Sequence, residues 1–470
     1  MQGKFRFILL AGAFFFALQL PLFPQDFKRG AILDGEVYNK LPRKAELLSR
    51  AYTALPAKAS LKQYAPFPGD QTDYGSCVAW ASAYAARTIS ESIAVNRRDR
   101  TGTTDNVFSP AYVYKNITDD PECQEGAQIS WALDFFKTPG AARMVDTERK
   151  TDFRKVDVSL YAEEKKYPIA DYVILFGREA DDTKNSTKIS KTKKSLAEGK
   201  PVIIGMNTPN SFIDAKNVWQ PRENNSMWYG GHAMCVVGYD DNMDGGCFEV
   251  QNSWGKKWGN AGFIWIHYED FARFVREAYE MIENLAAFED GAKYSGFADI
   301  QLYNSDETMA VNLTDEGFYK TDKAWPSGTE FRFILGNSTR SYVYAFAADS
   351  LSKDTSRIFP ADNTTSPILD YAESAVAWPG ERRWIKLDDQ PGTDYLVVLF
   401  SKQALDLDRI RSRFAEAQGS FSERTARAVG PSFISAENVQ YEQNEIRFNA
   451  ESQDSASVFG LLLAIEHTGK

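Results

Sequence analysis

The order of the apolar patterns in the first part of the chain constrains the fold most strongly. From Cys77 to Val95, small and apolar residues recur at helical spacing and predict a buried helix that starts at or near Cys77. Trp131 to Phe136 predicts a second helix. Short apolar runs follow and predict strands at Pro201–Met206, Ala233–Tyr239, Cys247–Asn252 and Phe263–His267. Helices before strands are typical of an α+β domain, which we place at residues 55–285.

A second series of strands divides the chain. The charged stretch from Asp181 to Lys194 is interpreted as a solvated loop before a helix ending at Gly199, and Phe271 to Leu285 as a further helix. Strand-like runs then begin again at Phe331–Leu335, Tyr342–Phe346, Tyr395–Phe400 and Val458–Ile465, with one amphipathic helix from Ala404 to Phe414 that Gly419 closes. We predict a linker at residues 286–300 and a mainly β, sandwich-like domain at 301–470.

Charge and composition exclude several classes of function. The 54 Lys and Arg residues against 64 Asp and Glu give a net charge of −10, with no long basic run, so we expect no nucleic-acid partner. Four cysteines are too few for a disulfide scaffold, and three histidines leave little room for a histidine-rich metal site. We expect no metal, and the reaction that we infer requires no organic cofactor.

An apolar run near the start of the chain predicts export. Phe7 to Leu20 follows Lys4 and Arg6, and it is shorter than the roughly 20 residues that span a bilayer. We interpret residues 1–25 as a signal peptide, with a buried N-terminal helix as the alternative. The mature protein would then be soluble in the periplasm or outside the cell, and residues 26–54 would form a short N-terminal segment.

Cys77 stands at the predicted start of a helix. There the thiolate faces unpaired backbone N–H groups and the positive end of the helix dipole, and both lower the pKa of a thiol. The position fits a nucleophile. It also fits a buried structural cysteine, and position alone leaves the two interpretations even.

Two later residues supply the partners that a thiol nucleophile needs. His232 and Asn252 have their midpoint at position 242, inside the turn from Asp240 to Gly246, so a hairpin closing there would bring them nearly opposite, about 5 Å apart. His232 can then act as acid and base while Asn252 orients its ring. A core histidine and a turn-capping amide are the alternatives, and the presence of all three residues favours a catalytic set.

These segments resemble the papain-like cysteine peptidases over residues 55–285. The resemblance rests on Gln71 to Cys77, on Gly231-His232-Ala233, and on Asn252-Ser253-Trp254-Gly255 with Trp258-Gly259 after it. It implies a two-lobed fold, with a helical N-lobe and a β-barrel-like C-lobe. It also implies roles for six residues: Cys77 as nucleophile, His232 as its acid and base, Asn252 as orienter, Gln71 in the oxyanion hole, and Gly126 and Trp254 as substrate-binding residues, with Trp254 also shielding the histidine–asparagine hydrogen bond.

The sequence departs from the family pattern at two places. Tyr74 stands where the family usually has a cysteine, whose partner resembles Cys123, so that disulfide cannot form and we expect all four cysteines to be free. Only about 30 residues separate the predicted signal peptide from the peptidase domain, too few for the usual inhibitory prosegment.

The sequence as a whole indicates an exported thiol endopeptidase that cleaves protein or peptide substrates through an acyl-enzyme thioester. A transglutaminase-type acyl transferase is one alternative, disfavoured because such enzymes usually carry Asp in the third role. A non-catalytic peptide-binding module is the other. The C-terminal part resembles, over Phe331–Asp349, Phe359-Pro360 and Pro391–Ser401, a β-rich accessory domain of unknown function attached to bacterial exported proteins. We expect it to provide a surface or partner contact.

Overall fold

The computed structural model describes residues 27–178, 185–284, 292–349, 354–370, 374–452 and 457–469. The predicted signal peptide lies outside the described residues. Within the described ranges, no helix is both long enough and apolar enough to cross a membrane.

Helices dominate the part of the chain before residue 200. The helix predicted from Cys77 is confirmed, although its middle, Trp80–Arg87, is π-helical. Side-chain caps fix other starts: Ser109 accepts from the backbone of Tyr112 ahead of Pro110, which fits the first helical turn because proline lacks an N–H. The helices are α1 (Gly35–Tyr38), α2 (Arg50–Thr53), α3 (Cys77–Ala79), α4 (Thr88–Ala94), α5 (Arg100–Asp105), α6 (Pro110–Ile117), α7 (Ile129–Lys137), α8 (Asp146–Arg149), α9 (Asn185–Ala197) and, later in the chain, α10 (Tyr268–Phe274), with 3₁₀ turns at Lys62–Tyr64, Phe153–Lys155, Val158–Tyr161 and Asn210–Phe212.

A mainly antiparallel sheet packs against these helices. Its strands are β1 (Lys58–Ser60), β4 (Ile169–Ile174), β5 (Val202–Asn207), β6 (Val218–Trp219), β7 (Gly231–Asp240), β8 (Cys247–Gln251), β9 (Phe263–His267) and β10 (Val275–Glu283), while β2 (Ala141–Ala142) pairs with β3 (Lys166–Tyr167). The strand order is β4-β10-β5-β7-β8-β9-β6, and β1 pairs with the outer half of β7. All four predicted strands are confirmed. The helix that begins at Cys77 lies against β7, so helix and sheet share one apolar core.

Two predicted elements are wrong. The helix expected from Phe271 to Leu285 ends at Phe274, and β10 follows as a strand between β4 and β5. Because β10 is buried on both faces, its sequence lacks the alternation of apolar and polar residues that indicates a strand. The Lys-rich stretch is helical from Asn185, and Lys188 is fully buried, its Nζ donating to the carbonyls of Ala272 and Val275 at 2.9 Å.

The C-terminal part consists of two sheets and a pair of helices. One sheet has the order β19-β15-β11-β23-β22 with β20 beside β15, and the other β12-β13-β24-β21-β16-β17 with β14 beside β24 and β18 beside β16. The elements are β11 (Ala292–Leu302), β12 (Val311–Leu313), β13 (Tyr319–Thr321), β14 (Trp325–Pro326), β15 (Glu330–Asn337), β16 (Ser341–Asp349), β17 (Thr355–Phe359), β18 (Ile368–Leu369), β19 (Ser374–Trp378), β20 (Ile385–Lys386), β21 (Gly392–Ser401), α11 (Leu407–Glu416), α12 (Phe421–Val429), a 3₁₀ turn (Ala436–Asn438), β22 (Val439–Tyr441), β23 (Ile446–Ser452) and β24 (Val458–Thr468).

The two C-terminal sheets face each other across one apolar core, as in a β-sandwich. The outer face of the second sheet is covered by α11 and α12, of which the sequence predicted only the first. Strand β11 starts at Ala292, within the range predicted as linker, and residues 285–291 lie outside the described part. The sandwich therefore begins earlier than expected.

Candidate active site

Cys77 is the first residue of α3 and is completely buried. Its Sγ accepts a hydrogen bond from the backbone N–H of Gly30 at 3.3 Å, and the backbone of Ala233 also hydrogen-bonds the thiol. Because Ala233 follows His232 on β7, this contact joins the start of the helix to the histidine-bearing strand. The fold thus brings the predicted nucleophile to the predicted acid and base.

His232 and Asn252 are hydrogen-bonded, with Nε2 and Oδ1 2.7 Å apart. The backbone N–H of Ser253 donates to the same Oδ1, also at 2.7 Å, which fixes the amide orientation. Since a carbonyl oxygen only accepts, the proton of the neutral imidazole is held on Nε2. Nδ1 is buried and has no hydrogen-bond partner among the described residues, so its lone pair is available to accept a thiol proton.

The hairpin register differs from the prediction. Cys235 pairs with Gln251, and a bulge between Val236 and Gly238 shifts the outer part by one residue. Asn252 therefore lies diagonally from His232 instead of opposite, and the two side chains bridge the longer diagonal spacing. The error comes from the turn, because its closing pair, Asp240 and Cys247, centres it later than position 242, and the bulge compensates only part of this displacement.

Trp254 lies flat on the imidazole of His232, with ring centroids 4.6 Å apart and planes inclined by 26°. It is 2% exposed and makes edge contacts with Trp258 and Phe212. The indole therefore covers the imidazole that is hydrogen-bonded to Asn252. On its other side the ring of Phe27 stacks at 4.6 Å and 12°.

Gln71 is buried, and its side chain is held at both ends. Its Oε1 accepts from Ser253 Oγ at 2.7 Å, and its Nε2 donates to the carbonyl of Tyr74 at 2.8 Å. The remaining Nε2 hydrogen points to the carbonyl of Lys28 at 3.1 Å. One amide N–H is therefore directed at a carbonyl oxygen in the cleft, which is what an oxyanion-hole donor requires.

Other contacts lie where the family usually has a disulfide. Tyr74 stacks on Phe153 and donates its hydroxyl to Asp152 at 2.8 Å, while the backbone N–H of Gly75 donates to the carbonyl of Cys123 at 2.7 Å. All four cysteines are free, as predicted. Main-chain and aromatic contacts replace the covalent link.

Residues 27–33, here called the cleft segment, lie across this site. Backbone N–H groups of Ala31 and Ile32 donate at 2.9 Å to the carbonyls of Gly231 and Ala127, and Ala127 returns a bond to the carbonyl of Gly30 at 2.9 Å. The Arg29 guanidinium donates to Asn210 Oδ1 at 2.8 Å and to the carbonyl of Tyr229 at 2.5 Å. No local pattern in the sequence indicated this segment, because its contacts are long-range and largely main-chain.

Three glycines allow the cleft segment to approach so closely. A Cβ on Gly30 would clash with the backbone of Gly75, one on Gly126 with the carbonyl of Gly30, and one on Gly231 with the carbonyl of Ala31. Gly126, predicted to bind substrate main chain, thus lies directly beside a main chain in the cleft. This part of the cleft is shaped to accept an extended backbone.

The cleft segment is not placed for cleavage. Sγ of Cys77 faces the N–H of Gly30, which belongs to the peptide unit between residues 29 and 30. Gln71 contacts the carbonyl of Lys28, which belongs to the preceding peptide unit. Attack needs the oxyanion donor and the sulfur on the same carbonyl group. The segment therefore occupies the site as a ligand, not as a substrate.

Both reactive side chains are neutral in this arrangement. Burial raises the pKa of the Cys77 thiol to about 11, against the opposing effect of the hydrogen bonds from Ala233 and Gly30. Burial also lowers the pKa of His232 to about 4, the hydrogen bond to Asn252 opposes this, and the charge of Arg29 lowers it further. The cleft segment contributes to these shifts by excluding water and by placing a cation near the imidazole.

Comparisons with known proteins find similarity over about half of the chain. Residues 62–282 match the family model for papain family cysteine proteases. The chain is 29% identical over 235 residues to an uncharacterized peptidase C1-like protein of Acanthamoeba polyphaga mimivirus, covering 46% of this chain and 67% of that protein.

Solved structures with similarity include xylellain, a cysteine protease from Xylella fastidiosa, at 22% identity, 55% coverage of this chain, 97% coverage of xylellain and a TM-score of 0.41. They also include a recombinant stem bromelain precursor at 17% identity, with 54% of this chain and 77% of that one covered and a TM-score of 0.42.

The match to papain family cysteine proteases supports a cysteine peptidase. Residues 62–282, which carry this family match, have an α+β fold, and the β-rich region lies beyond them. In the described ranges, no group of three or more His, Cys, Asp or Glu side chains is arranged to hold a metal ion.

Proposed function

We propose that this chain is an exported cysteine endopeptidase in which Cys77, His232 and Asn252 form the catalytic triad. The observation that carries the proposal is the His232–Asn252 hydrogen bond of 2.7 Å next to a cysteine at a helix start. It leaves Nδ1 as the ring nitrogen able to take the thiol proton. Trp254 stacks on the imidazole and supports the same assignment.

The reaction begins when Nδ1 of His232 accepts the proton of Cys77 and Sγ attacks the carbonyl carbon of the scissile peptide bond. Negative charge develops on the carbonyl oxygen, where the Gln71 Nε2 and the backbone N–H of Cys77 stabilise it. The imidazolium then protonates the leaving amine as the C–N bond breaks. A water molecule, deprotonated by the imidazole, hydrolyses the thioester and regenerates the thiol.

The substrates in this proposal are proteins or peptides bound in extended form. Gly126 and Gly231 line a cleft in which a main chain is already accommodated, and a groove of about 820 Å³ continues past Phe27 and Trp254. No metal or organic cofactor enters any step. Export is supported by the apolar run from Phe7 to Leu20 behind two basic residues.

We also propose that this form of the enzyme is latent. The cleft segment fills the space that substrate needs, and it keeps Cys77 and His232 neutral. A segment of about 30 residues, too short for a usual family prosegment, is in this view long enough because residues 27–33 suffice to cover the site. Activation requires the segment to leave the cleft.

The direct test is covalent labelling with an epoxide or diazomethyl-ketone thiol inhibitor, followed by peptide mapping. Once the cleft segment is displaced, we expect the adduct on Cys77, and Cys77→Ala should lose both labelling and peptide hydrolysis while keeping its melting temperature. Labelling that persists on another cysteine would contradict the assignment. Stoichiometric peptide binding without turnover, after the segment is displaced, would favour a peptide-binding module.

A further inference from the structure

The N-terminal segment is also part of the C-terminal sandwich. Ala45 and Leu47 are 3% and 2% exposed and belong to the core between the two C-terminal sheets. Leu47 pairs with Val376 of β19, and the N–H of Leu48 donates to the carbonyl of Ala375 at 3.0 Å. We call residues 43–48 the anchor segment.

The anchor segment also pairs with a second part of the sandwich, the chain between β17 and β18. Arg43 donates its N–H to the carbonyl of Thr364 at 2.6 Å and accepts from the N–H of Ser366 at 2.8 Å. Main-chain hydrogen bonds and core packing therefore hold this short segment to a domain that begins about 240 positions later. The sandwich core is incomplete without this piece of chain.

The same residues lie along the peptidase sheet. Ile174 of β4 exchanges backbone hydrogen bonds of 2.9 Å with Pro42 and Lys44. The Lys44 ammonium pairs with the fully buried Glu280 of β10 at 2.7 Å. Between the two domains, Lys200 of the peptidase domain forms a salt bridge of 2.6 Å with Asp370 of the sandwich. The anchor segment is thus fixed between the two domains by buried charges as well as by apolar contacts.

We propose that the C-terminal sandwich is the anchoring domain of the cleft segment, so that it holds the peptidase latent without touching Cys77. The inference rests on the proposed latency of the enzyme. Between the cleft segment and the anchor segment lie only residues 34–42, which include the exposed turn at Glu36, Val37 and Lys40. A short tether of this kind keeps a weak ligand at an effective concentration of about millimolar.

Cutting the tether tests the proposal. A recognition sequence for a specific protease is inserted between Lys40 and Leu41, and the folded full-length chain is cut. At about 1 μM protein, the cleft segment falls about 10³-fold below its tethered effective concentration, so alkylation of Cys77 should accelerate and should rise further on dilution. The same sequence inserted between the exposed Asp315 and Glu316, in the turn from β12 to β13, serves as control and should change nothing.

Tyr38 makes this a demanding test. After the cut, Tyr38 belongs to the same fragment as the cleft segment. Its hydroxyl binds the peptidase domain, because it donates to the carbonyl of Phe176 at 2.7 Å and accepts from the N–H of Ala278 at 3.1 Å. If these contacts alone retain the segment, alkylation will stay slow after the cut and independent of dilution. That result would overturn the anchoring role of the sandwich.

A second measurement needs no cut and no catalysis. Leu47→Ala and Leu399→Ala both remove a buried leucine from the sandwich region, but only Leu47 lies on the N-terminal segment, whereas Leu399 faces α11 and α12. Hydrogen exchange of the amides of Gly30, Ala31 and Ile32 should accelerate about tenfold or more in Leu47→Ala alone. Equal exchange in the two variants would refute the proposal.

The two proposals fail in different ways. A valine at position 30 would overlap the backbone of Gly75 and displace the cleft segment. If Gly30→Val exposes Cys77 to alkylation but no peptide is hydrolysed, the peptidase assignment fails. Hydrogen exchange and Cys77 labelling can then still test whether the sandwich anchors the cleft segment. If peptide hydrolysis appears in Gly30→Val, and cutting the tether in the chain that keeps Gly30 leaves the alkylation rate of Cys77 unchanged, the peptidase stands and the anchor fails.

Discussion

Replacing Gly30 by valine should open the active site without altering any residue of the peptidase machinery. A side chain at this position would overlap the backbone of Gly75, which is itself packed against the carbonyl of Glu125. Neither backbone can move away without disrupting its own packing. The cleft segment must therefore leave its position, while the triad candidates keep theirs.

The size of the effect follows from the hydrogen bonds and the ring stacking that the substitution breaks. Among the broken hydrogen bonds are those donated by the N–H groups of Gly30, Ala31, Ile32 and Ala127. At a net value of about 1 kcal/mol each, with about 1 kcal/mol for the stacking of Phe27 on Trp254, the segment is weakened by about 3–5 kcal/mol. Since about 1.4 kcal/mol is a factor of ten, the accessible fraction of Cys77 should rise about 10²-fold or more.

The assay is the pseudo-first-order rate of Cys77 alkylation, followed by intact mass and located by peptide mapping. Glu36→Ala is the control, because Glu36 lies on the same part of the chain but is exposed. It should label at the wild-type rate. Equal rates in Gly30→Val and wild type, with both proteins folded by circular dichroism, would refute the view that the segment covers the nucleophile.

Three further outcomes are expected. In the Gly30→Val background, Gln71→Ala should lower kcat by about 10²–10³ with little change in KM, and a change in KM alone would make Gln71 a binding residue. Burial holds the pKa of His232 at about 4, below its ordinary 6.5. Between pH 4 and pH 6.5, His232 is therefore protonated in the open or unfolded state but neutral in the closed state. The stability of the closed state should therefore fall by about 3 kcal/mol as the pH falls from about 6.5 to about 4. Hydrogen exchange of the Ala31 amide should accelerate across that range. An exchange rate that does not depend on pH, after correction for the intrinsic rate, would contradict this. All four cysteines should alkylate in denaturant without reductant, and an intramolecular disulfide found by non-reducing mapping would contradict the free thiols of the structure.

The candidate site could be predicted from the sequence because its residues stand in short, ordered segments. Gln71 lies just before one helix and Cys77 begins it, and His232 and Asn252 lie on the two arms of one hairpin, so local patterns placed them near each other. The error in register did no harm. A histidine and an asparagine on the same face of a hairpin can bond across the diagonal as well as directly.

The misassigned strand β10 has a different cause. Val275 to Glu283 is buried on both faces between β4 and β5, so its side chains show no alternation. Apolar residues at positions 271, 274, 275, 278 and 282 also fit a helix spacing, and the helix does form up to Phe274. Pairing with two neighbouring strands decides the rest, and that information is not local.

The cleft and anchor segments could not be predicted from the sequence for a similar reason. Gly30 matters only because Gly75 and Cys77 lie against it, and Leu47 only because the sandwich closes over it. Residues 26–54 looked like a polar segment of mixed composition. In the structure, residues 27–48 connect the reactive thiol to the core of the second domain.

The most direct test of the account is peptide hydrolysis by Gly30→Val compared with the double variant Gly30→Val/Cys77→Ala, on one fluorogenic peptide and at equal protein concentration. We expect turnover in the single variant and none in the double variant, with both equally stable to heat. Turnover that survives in the double variant, or no turnover in a single variant whose Cys77 alkylates rapidly, would contradict the assignment of Cys77 as the peptidase nucleophile.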